Sequence, residues 1–303
     1  MWCTTALSPR ASRWLQEPWG AWTMLPWIKS TPSGGPATPA RRWRHEHVHA
    51  HRSMFGILER IPSTHPLYAR LHDGTVYAVE AWRVSNGNRP AQLLTCRLAV
   101  LYAKSRLMRR VFRAWRWLNA GQQAGKSVKE FRIDVVAYDE SERQAVRELL
   151  YSMRARRMVP RRAIALHRRH WLIRRIGSRS TVTYLGGAWL ELFALLVAKW
   201  TVCRAAPREL QPLTRVRFCN HFGEIVREVD AVVPLTHEDL VLVEAKTAGH
   251  PASTSALVEI ATRLGVPRWR RLVLVPGDGV TEGDHYVRVG TLAYAGYLRG
   301  LAR

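Results

Sequence analysis

The sequence predicts an α/β C-terminal domain, a mixed sheet flanked by helices, preceded by a basic α+β region that contains a winged-helix-like module. Three observations carry this. Residues 184–275 read in order as apolar helix, apolar hairpin, amphipathic helix and buried strand, a switching of hydrophobic period that builds a layered sheet. Residues 129–185 place a strand and a helix before two apolar runs joined by a basic turn. The charge is uneven: 47 Lys+Arg against 23 Asp+Glu give +24, yet residues 184–303 hold 14 basic and 12 acidic residues, leaving 33 and 11 upstream. The front of the chain is the polycation, and the back is near neutral.

Residues 1–55 read as a basic, poorly ordered leader. The first 44 mix Trp, Pro, Ser and Arg without helical or strand period, and they hold six of the 13 tryptophans. His45, His47, His49 and His51 alternate, which on a strand would align four imidazoles for a transition metal. A solvated His-rich stretch is the plainer reading, because metal sites usually draw ligands from more than one element.

Residues 56–125 read as a basic α+β region. Thr75–Val84 and Ala91–Val100 alternate like strands about an Asn86-Gly87-Asn88 turn. Ser105–Asn119 then spaces Leu107, Val111, Trp115 and Leu118 on one helical face, with Arg109, Arg110, Arg113 and Arg116 around the others. Residues 126–183 read as the winged-helix-like module. Lys129–Tyr138 suggests a strand, and Ser141–Met158 a helix with Ser141 and Gln144 at capping-box spacing. A hairpin carrying His167, Arg168, Arg169, His170, Arg174 and Arg175 follows, suited to contact phosphates without reading bases.

In residues 184–303 the chemistry concentrates. Val229–Val233 and Leu240–Val243 are apolar runs separated by Thr236-His237-Glu238-Asp239, a hairpin signal. A turn centred on His237 sets Asp230 across from Glu244, and Lys246 joins them two residues on, on the same face. Two carboxylates at the end of an apolar hairpin are costly unless compensated, and a divalent cation compensates them. Hard oxygen ligands suit Mg²⁺ or Mn²⁺. Such an ion can bind a scissile phosphate and acidify a water, while Lys246 holds that water or balances charge on the phosphorane. The implied reaction is phosphodiester hydrolysis. A surface hairpin with an ordinary Glu244–Lys246 pair is the alternative. Upstream, Thr183–Trp200 is an apolar helix opened by Gly186-Gly187, in which Glu191 faces water or serves as a ligand. Downstream, Ser255–Gly265 has helical spacing with Gly265 as its stop, and Arg270–Pro276 reads as a buried strand.

The stretch from Tyr184 to Val275, through GGAWLE, EVDAVV, VLVEAKT and ALVEIATRLG in that order, resembles the PD-(D/E)XK nuclease superfamily. More narrowly, it resembles the endonuclease domain of CRISPR ancillary nucleases fused to cyclic-oligoadenylate sensor (CARF) domains. The resemblance implies a restriction-endonuclease-like C-terminal fold, with Asp230 and Glu244 as metal ligands. It implies further that Ala245 is a backbone-carbonyl ligand, Lys246 the catalytic lysine, and Glu191 an accessory acid and metal ligand. It also implies a cyclic oligoadenylate activator and a homodimer. Residues 1–125 show no Rossmann-like βαβ pattern, so the sensor is absent or degenerate and the activator loses its usual seat.

The expected partner is nucleic acid, DNA or RNA, because counterion release makes a polycation bind phosphates irrespective of sequence. Arginine-rich codon usage is the bland alternative for the charge. Cys3, Cys96, Cys203 and Cys219 form no CxxC pair, which speaks against a structural zinc site or a disulfide framework. The first residues lack a signal-peptide pattern and the longest apolar stretch is short for a bilayer, so a cytoplasmic protein without a membrane partner is expected. Two readings compete with the CRISPR-associated endonuclease: a nucleic-acid-binding protein on an inactive nuclease-like scaffold, and a DNA-repair or junction nuclease of the same superfamily.

Overall fold

The computed structural model describes residues 58–61, 65–71, 78–82, 89–123, 129–203, 207, 210–220, 222, 225–247 and 254–303. The leader, the four alternating histidines and the Asn86-Gly87-Asn88 turn lie outside these residues. The described elements run β1 (Leu58–Arg60), β2 (Ala78–Trp82), α1 (Arg89–Lys104), α2 (Arg106–Gln123), β3 (Glu130–Asp134), α3 (Glu140–Ala155), β4 (Ile164–Leu166) and β5 (His170–Arg174). They continue through α4 (Arg179–Thr183), α5 (Trp189–Thr201), β6 (Leu213–Cys219), β7 (Ile225–Pro234), β8 (Leu240–Ala245), α6 (Ser255–Arg263), β9 (Arg271–Val275), β10 (Val280–Glu282), β11 (Val287–Gly290) and α7 (Tyr294–Leu301).

The architecture is α/β. Eight described strands form one mixed sheet in the order β1-β2-β6-β7-β8-β9-β11-β10, in which β8, β9 and β11 run parallel and the other neighbours antiparallel. Strand alternation splits the hydrophobic residues between the two faces. Val241, Val243, Leu272 and Leu274 join the core formed with α5 and α7. Leu240, Leu242, Val273 and Val275 join the core covered by α6 through Leu257, Ile260 and Leu264. The hairpin bearing the candidate site is therefore packed on both sides, which fixes its register, since a slip of one residue would exchange the two faces.

Helix α5 is apolar on nearly every side from Trp189 to Ala198, Glu191 excepted, because it is surrounded by protein. The run Ser180–Thr201 is long and apolar enough by composition to cross a membrane, but 72% of its most apolar window is buried inside the fold, as expected of a core helix. A five-residue π-helical turn, Tyr184–Ala188, precedes it and carries the Gly186-Gly187 pair. Tyr102 packs on Trp189 (centroids 5.2 Å) and on Phe112 (5.3 Å), joining α1 and α2 to the core helix.

Three elements differ from the sequence reading. Ala91–Val100 is helix, not strand. Ala91, Leu94, Thr95, Leu98 and Tyr102 are buried at helical spacing, and Pro90 sits in the first turn, where its missing N–H is not required. Helix α3 begins at Glu140, so Ser141 lies inside its first turn and forms no capping box; Asp139 is the cap residue. Glu142 instead accepts from Ser105 Oγ (2.6 Å) and Leu107 N–H (2.9 Å), tying α3 to the start of α2. Third, residues 56–125 do not form a separate region from residues 184–303. Strand β2 pairs with β6 through Ala78–Cys219 and Val79–Phe218, so the described residues make one compact unit across the expected boundary.

Between those parts, β3, β5 and β4 make a three-stranded antiparallel sheet beside α2 and α3. Trp115, Trp171, Ile133 and Leu149 fill its core.

Candidate functional site

The hairpin β7–β8 closes as its letters imply. Its pairs Ala231–Val243, Val232–Leu242, Val233–Val241 and Pro234–Leu240 all centre on His237. The turn is held by Leu235 N–H donating to Asp239 O (2.8 Å) and by Thr236 Oγ1, which accepts from Glu238 and Asp239 N–H at 3.1 and 3.0 Å. The next step of this register sets Asp230 opposite Glu244, at the end of the apolar run.

All five expected residues, Asp230, Glu244, Ala245, Lys246 and Glu191, come together there. Asp230 Oδ2 accepts from Ala245 N–H (2.7 Å), which fixes its carboxylate against the tip of β8. Lys246 Nζ donates to Glu244 Oε1 in an ion pair whose side chains are 23% and 9% exposed. The other oxygen, Glu244 Oε2, is buried and has no hydrogen-bond partner among the described residues. Glu191, in the first turn of α5, lies within electrostatic reach of both Asp230 and Glu244. Ala245 contributes its N–H to Asp230. No group of three His, Cys, Asp or Glu side chains among the described residues is arranged to hold a metal unaided.

The electrostatics follow from this crowding. Burial raises the Asp230 carboxyl well above its usual range, and the charges of Glu244 and Glu191 raise it further, against the Ala245 hydrogen bond and Lys246. Burial also raises Glu244, while Lys246 opposes it and Glu191 adds to it. Both groups therefore carry an uncompensated preference for a proton, or for another positive charge, at the end of an otherwise apolar hairpin.

Arg215 was not singled out from the sequence. Its Nε bonds Glu191 Oε2 at 2.8 Å, with both side chains largely covered. It sits between the β6–β7 pairs Thr214–Ala231 and Val216–Val229, level with Asp230. Its φ of 50° is left-handed, a conformation a non-glycine residue holds only when its surroundings impose it. The signal lay in Leu213-Thr214-Arg215-Val216-Arg217-Phe218, where arginine alternates with buried residues along a strand. Thr214 Oγ1 donates to Asp230 O (2.8 Å), and Thr247 Oγ1 donates to Gly186 O (3.3 Å), so β6, β8 and the turn before α5 all brace the cluster.

Cys96 and Cys203 are buried thiols; burial pushes Cys203 up to about 11 and Cys96 higher still, which makes both inert as nucleophiles at neutral pH.

No family model matches the chain, and no curated protein matches it. The crystal structure of protein VC1899 from Vibrio cholerae is similar to it with a TM-score of 0.42 and 14% sequence identity. That similarity covers 71% of this chain and 56% of the other, so the chain spans little more than half of that protein's length.

Proposed function

We propose that the chain is a metal-dependent endonuclease that hydrolyses phosphodiester bonds in DNA or RNA, with Asp230, Glu244 and Lys246 as its core and Glu191 as an accessory acid. One observation carries the reading: the mutually repelling carboxylates of Asp230 and buried Glu244, the latter with an oxygen that has no partner among the described residues, meet a single lysine at the hairpin tip. A buried charged oxygen left without a donor is destabilising, so its presence calls for a compensating ligand.

The residues fit a hard divalent cation, Mg²⁺ or Mn²⁺, because they offer carboxylate oxygen at the end of a rigid hairpin and lack soft ligands. Asp230 and Glu244 would hold it, with Glu191 and the Ala245 carbonyl as the further ligands that the nuclease resemblance implies. Once bound, the cation supplies Lewis acidity toward a phosphoryl oxygen and acidity to a water. The protein's own groups do the rest. Ala245 N–H keeps the Asp230 carboxylate aligned. Arg215 holds Glu191 at the edge of the pair. Lys246, which pairs with Glu244, would orient an attacking water or meet charge developing on the phosphate.

The order of apolar helix, hairpin, helix and strand around this cluster supports placing residues 184–303 with the PD-(D/E)XK nucleases, and their CRISPR-associated branch is part of the same proposal. A second reading, a nucleic-acid binder on an inactive scaffold, draws on the ion pairs already made by Glu244 and Glu191. The test is cleavage of supercoiled plasmid, single-stranded DNA and single-stranded RNA with Mn²⁺, Mg²⁺ or EDTA, with and without cyclic oligoadenylates, against Glu244→Ala and Lys246→Ala. Metal-dependent cutting lost in both variants is expected. No cutting of any substrate under any of these conditions would leave the scaffold reading.

A further inference from the structure

We propose that the cleft between α3 and the β4–β5 hairpin is a binding site for the phosphate backbone of the nucleic-acid substrate, an inference that rests on the nuclease reading for the word substrate alone. The cleft is about 530 Å³ and is lined by Val136, Glu140, Arg143, Arg147, Arg168 and Arg169. Four arginines against one glutamate leave it with a formal charge of +3.

Its arginines are not used up by the protein. Glu140 pairs with Arg143, but Arg143 Nε is buried and has no hydrogen-bond partner. Arg147, Arg168 and Arg169 make no side-chain ion pair among the described residues, and Arg168 and Arg169 project from the hairpin turn into solvent. Their position is fixed by the backbone, since Arg169 O accepts from Val135 N–H (3.1 Å) and His167 N–H donates to His170 O (3.0 Å). Like charges gathered in a concavity repel, and an anion bound among them relieves that repulsion, so the arrangement is that of a preformed anion site. Arginine's planar fork matches phosphate oxygens two at a time.

The surroundings point to a polymer rather than a small anion. Residues 129–183 hold 14 basic and 6 acidic residues, a net +8, whereas residues 184–303 hold 14 and 12. The acidic cluster at the hairpin tip cannot itself draw in a polyanion. Attraction must come from another part of the chain, and this concave, arginine-lined cleft offers it. His167 and His170 stack beside the hairpin turn at 4.7 Å. His170 is held below its usual range by desolvation and then by Arg132 and His167, with Asp134 opposing, a further mark of positive potential at this edge.

The test separates binding from cutting by working in EDTA. Fluorescence anisotropy of fluorescein-labelled single-stranded DNA, single-stranded RNA and duplex DNA of one sequence is recorded across a salt series. The full chain is compared with Arg168→Ala/Arg169→Ala, with Arg147→Ala, and with a control, Arg268→Ala/Arg288→Ala, that removes the same charge from exposed arginines elsewhere. Each lost phosphate contact lowers the slope of log affinity against log salt by about 0.7 for single strands or about 0.9 for duplex. The cleft double variant is therefore expected to lose about 1.4 to 1.8 in slope and roughly tenfold or more in affinity, with the control near wild type. Equal losses in cleft and control variants would overturn the proposal in favour of diffuse charge. Retained oligonucleotide binding with lost binding to phosphatidylserine vesicles would overturn it in favour of a membrane surface. Cleft-dependent binding without cleavage under any metal would sink the nuclease reading and leave the cleft standing.

Discussion

Replacing Lys246 by methionine in the metal-free protein removes the ammonium from Glu244 while keeping most of the side chain's bulk. Glu244 is 9% exposed, Lys246 is its hydrogen-bonding partner through Oε1, and its Oε2 has none among the described residues, so the substitution leaves a buried carboxylate with only a backbone hydrogen bond from Asp230 to favour its charge. Unit charges in contact are worth about 4 kcal/mol at the effective dielectric of a protein surface, and loss of one partner of a buried pair costs about 3–5 kcal/mol. Lysine is 23% exposed, and solvent screens part of the attraction, so a loss of about 2–4 kcal/mol is expected near neutral pH. The loss should shrink as pH falls, because the stranded carboxyl, already raised by burial, then takes up a proton. Glu244→Gln in the same background should recover most of it, giving a coupling of about 2–3 kcal/mol in a double-mutant cycle. Urea unfolding in EDTA, followed by tryptophan fluorescence, measures all four chains. A Lys246→Met variant within about 0.5 kcal/mol of wild type, or a double variant that simply adds the two single losses, would refute the view of Glu244 as a buried charge dependent on Lys246.

Asp230 gives the pH dependence. Its folded carboxyl is raised above the unfolded value, so the native chain holds the proton more tightly and loses stability as pH rises through the folded value; thermal melts in EDTA should fall with pH, and Asp230→Asn should flatten that fall while abolishing cleavage. Added Mg²⁺ should raise the melting temperature most at the alkaline end, where no proton competes for the carboxylates. Leu242 is fully buried between β7 and β9, and Leu242→Ala should cost about 2–5 kcal/mol by urea unfolding. At Gly290 an added Cβ would lie 2.7 Å from Gly277 O and 2.8 Å from the Asp278 backbone, so Gly290→Ala must move main chain and should destabilise by about 1–3 kcal/mol, read as a lowered melting temperature.

The site was legible where its logic was local. The hairpin register follows from two apolar runs about Thr236–Asp239, and it alone aligns Asp230 with Glu244. Helix α6 and its stop were legible because Leu257, Ile260, Ala261 and Leu264 repeat at helical spacing and Gly265 supplies a left-handed residue with φ +61°. What was not legible depends on distant partners. The pairing of Glu80 with Arg217 joins strands far apart in sequence, so nothing near residue 80 announces that β1 and β2 extend the main sheet. Ala91–Val100 reads as a strand in isolation because its letters alternate; α1 is helical because Thr95 and Tyr102 meet Tyr184, Phe112 and Trp189 on several sides. Arg215 escaped notice because its role comes from a single left-handed residue opposite Asp230, a backbone feature that arginine does not advertise.

The central claim is that Asp230 and Glu244 form a divalent-cation site, and Mn²⁺ seen by anomalous scattering in crystals of the full chain tests it most directly. The account predicts a peak within coordination distance of both carboxylates, with Lys246 released from Glu244, and no peak in Asp230→Asn crystals. A Mn²⁺ bound elsewhere, or a hairpin tip that stays metal-free with the Lys246–Glu244 pair intact at saturating Mn²⁺, would contradict it.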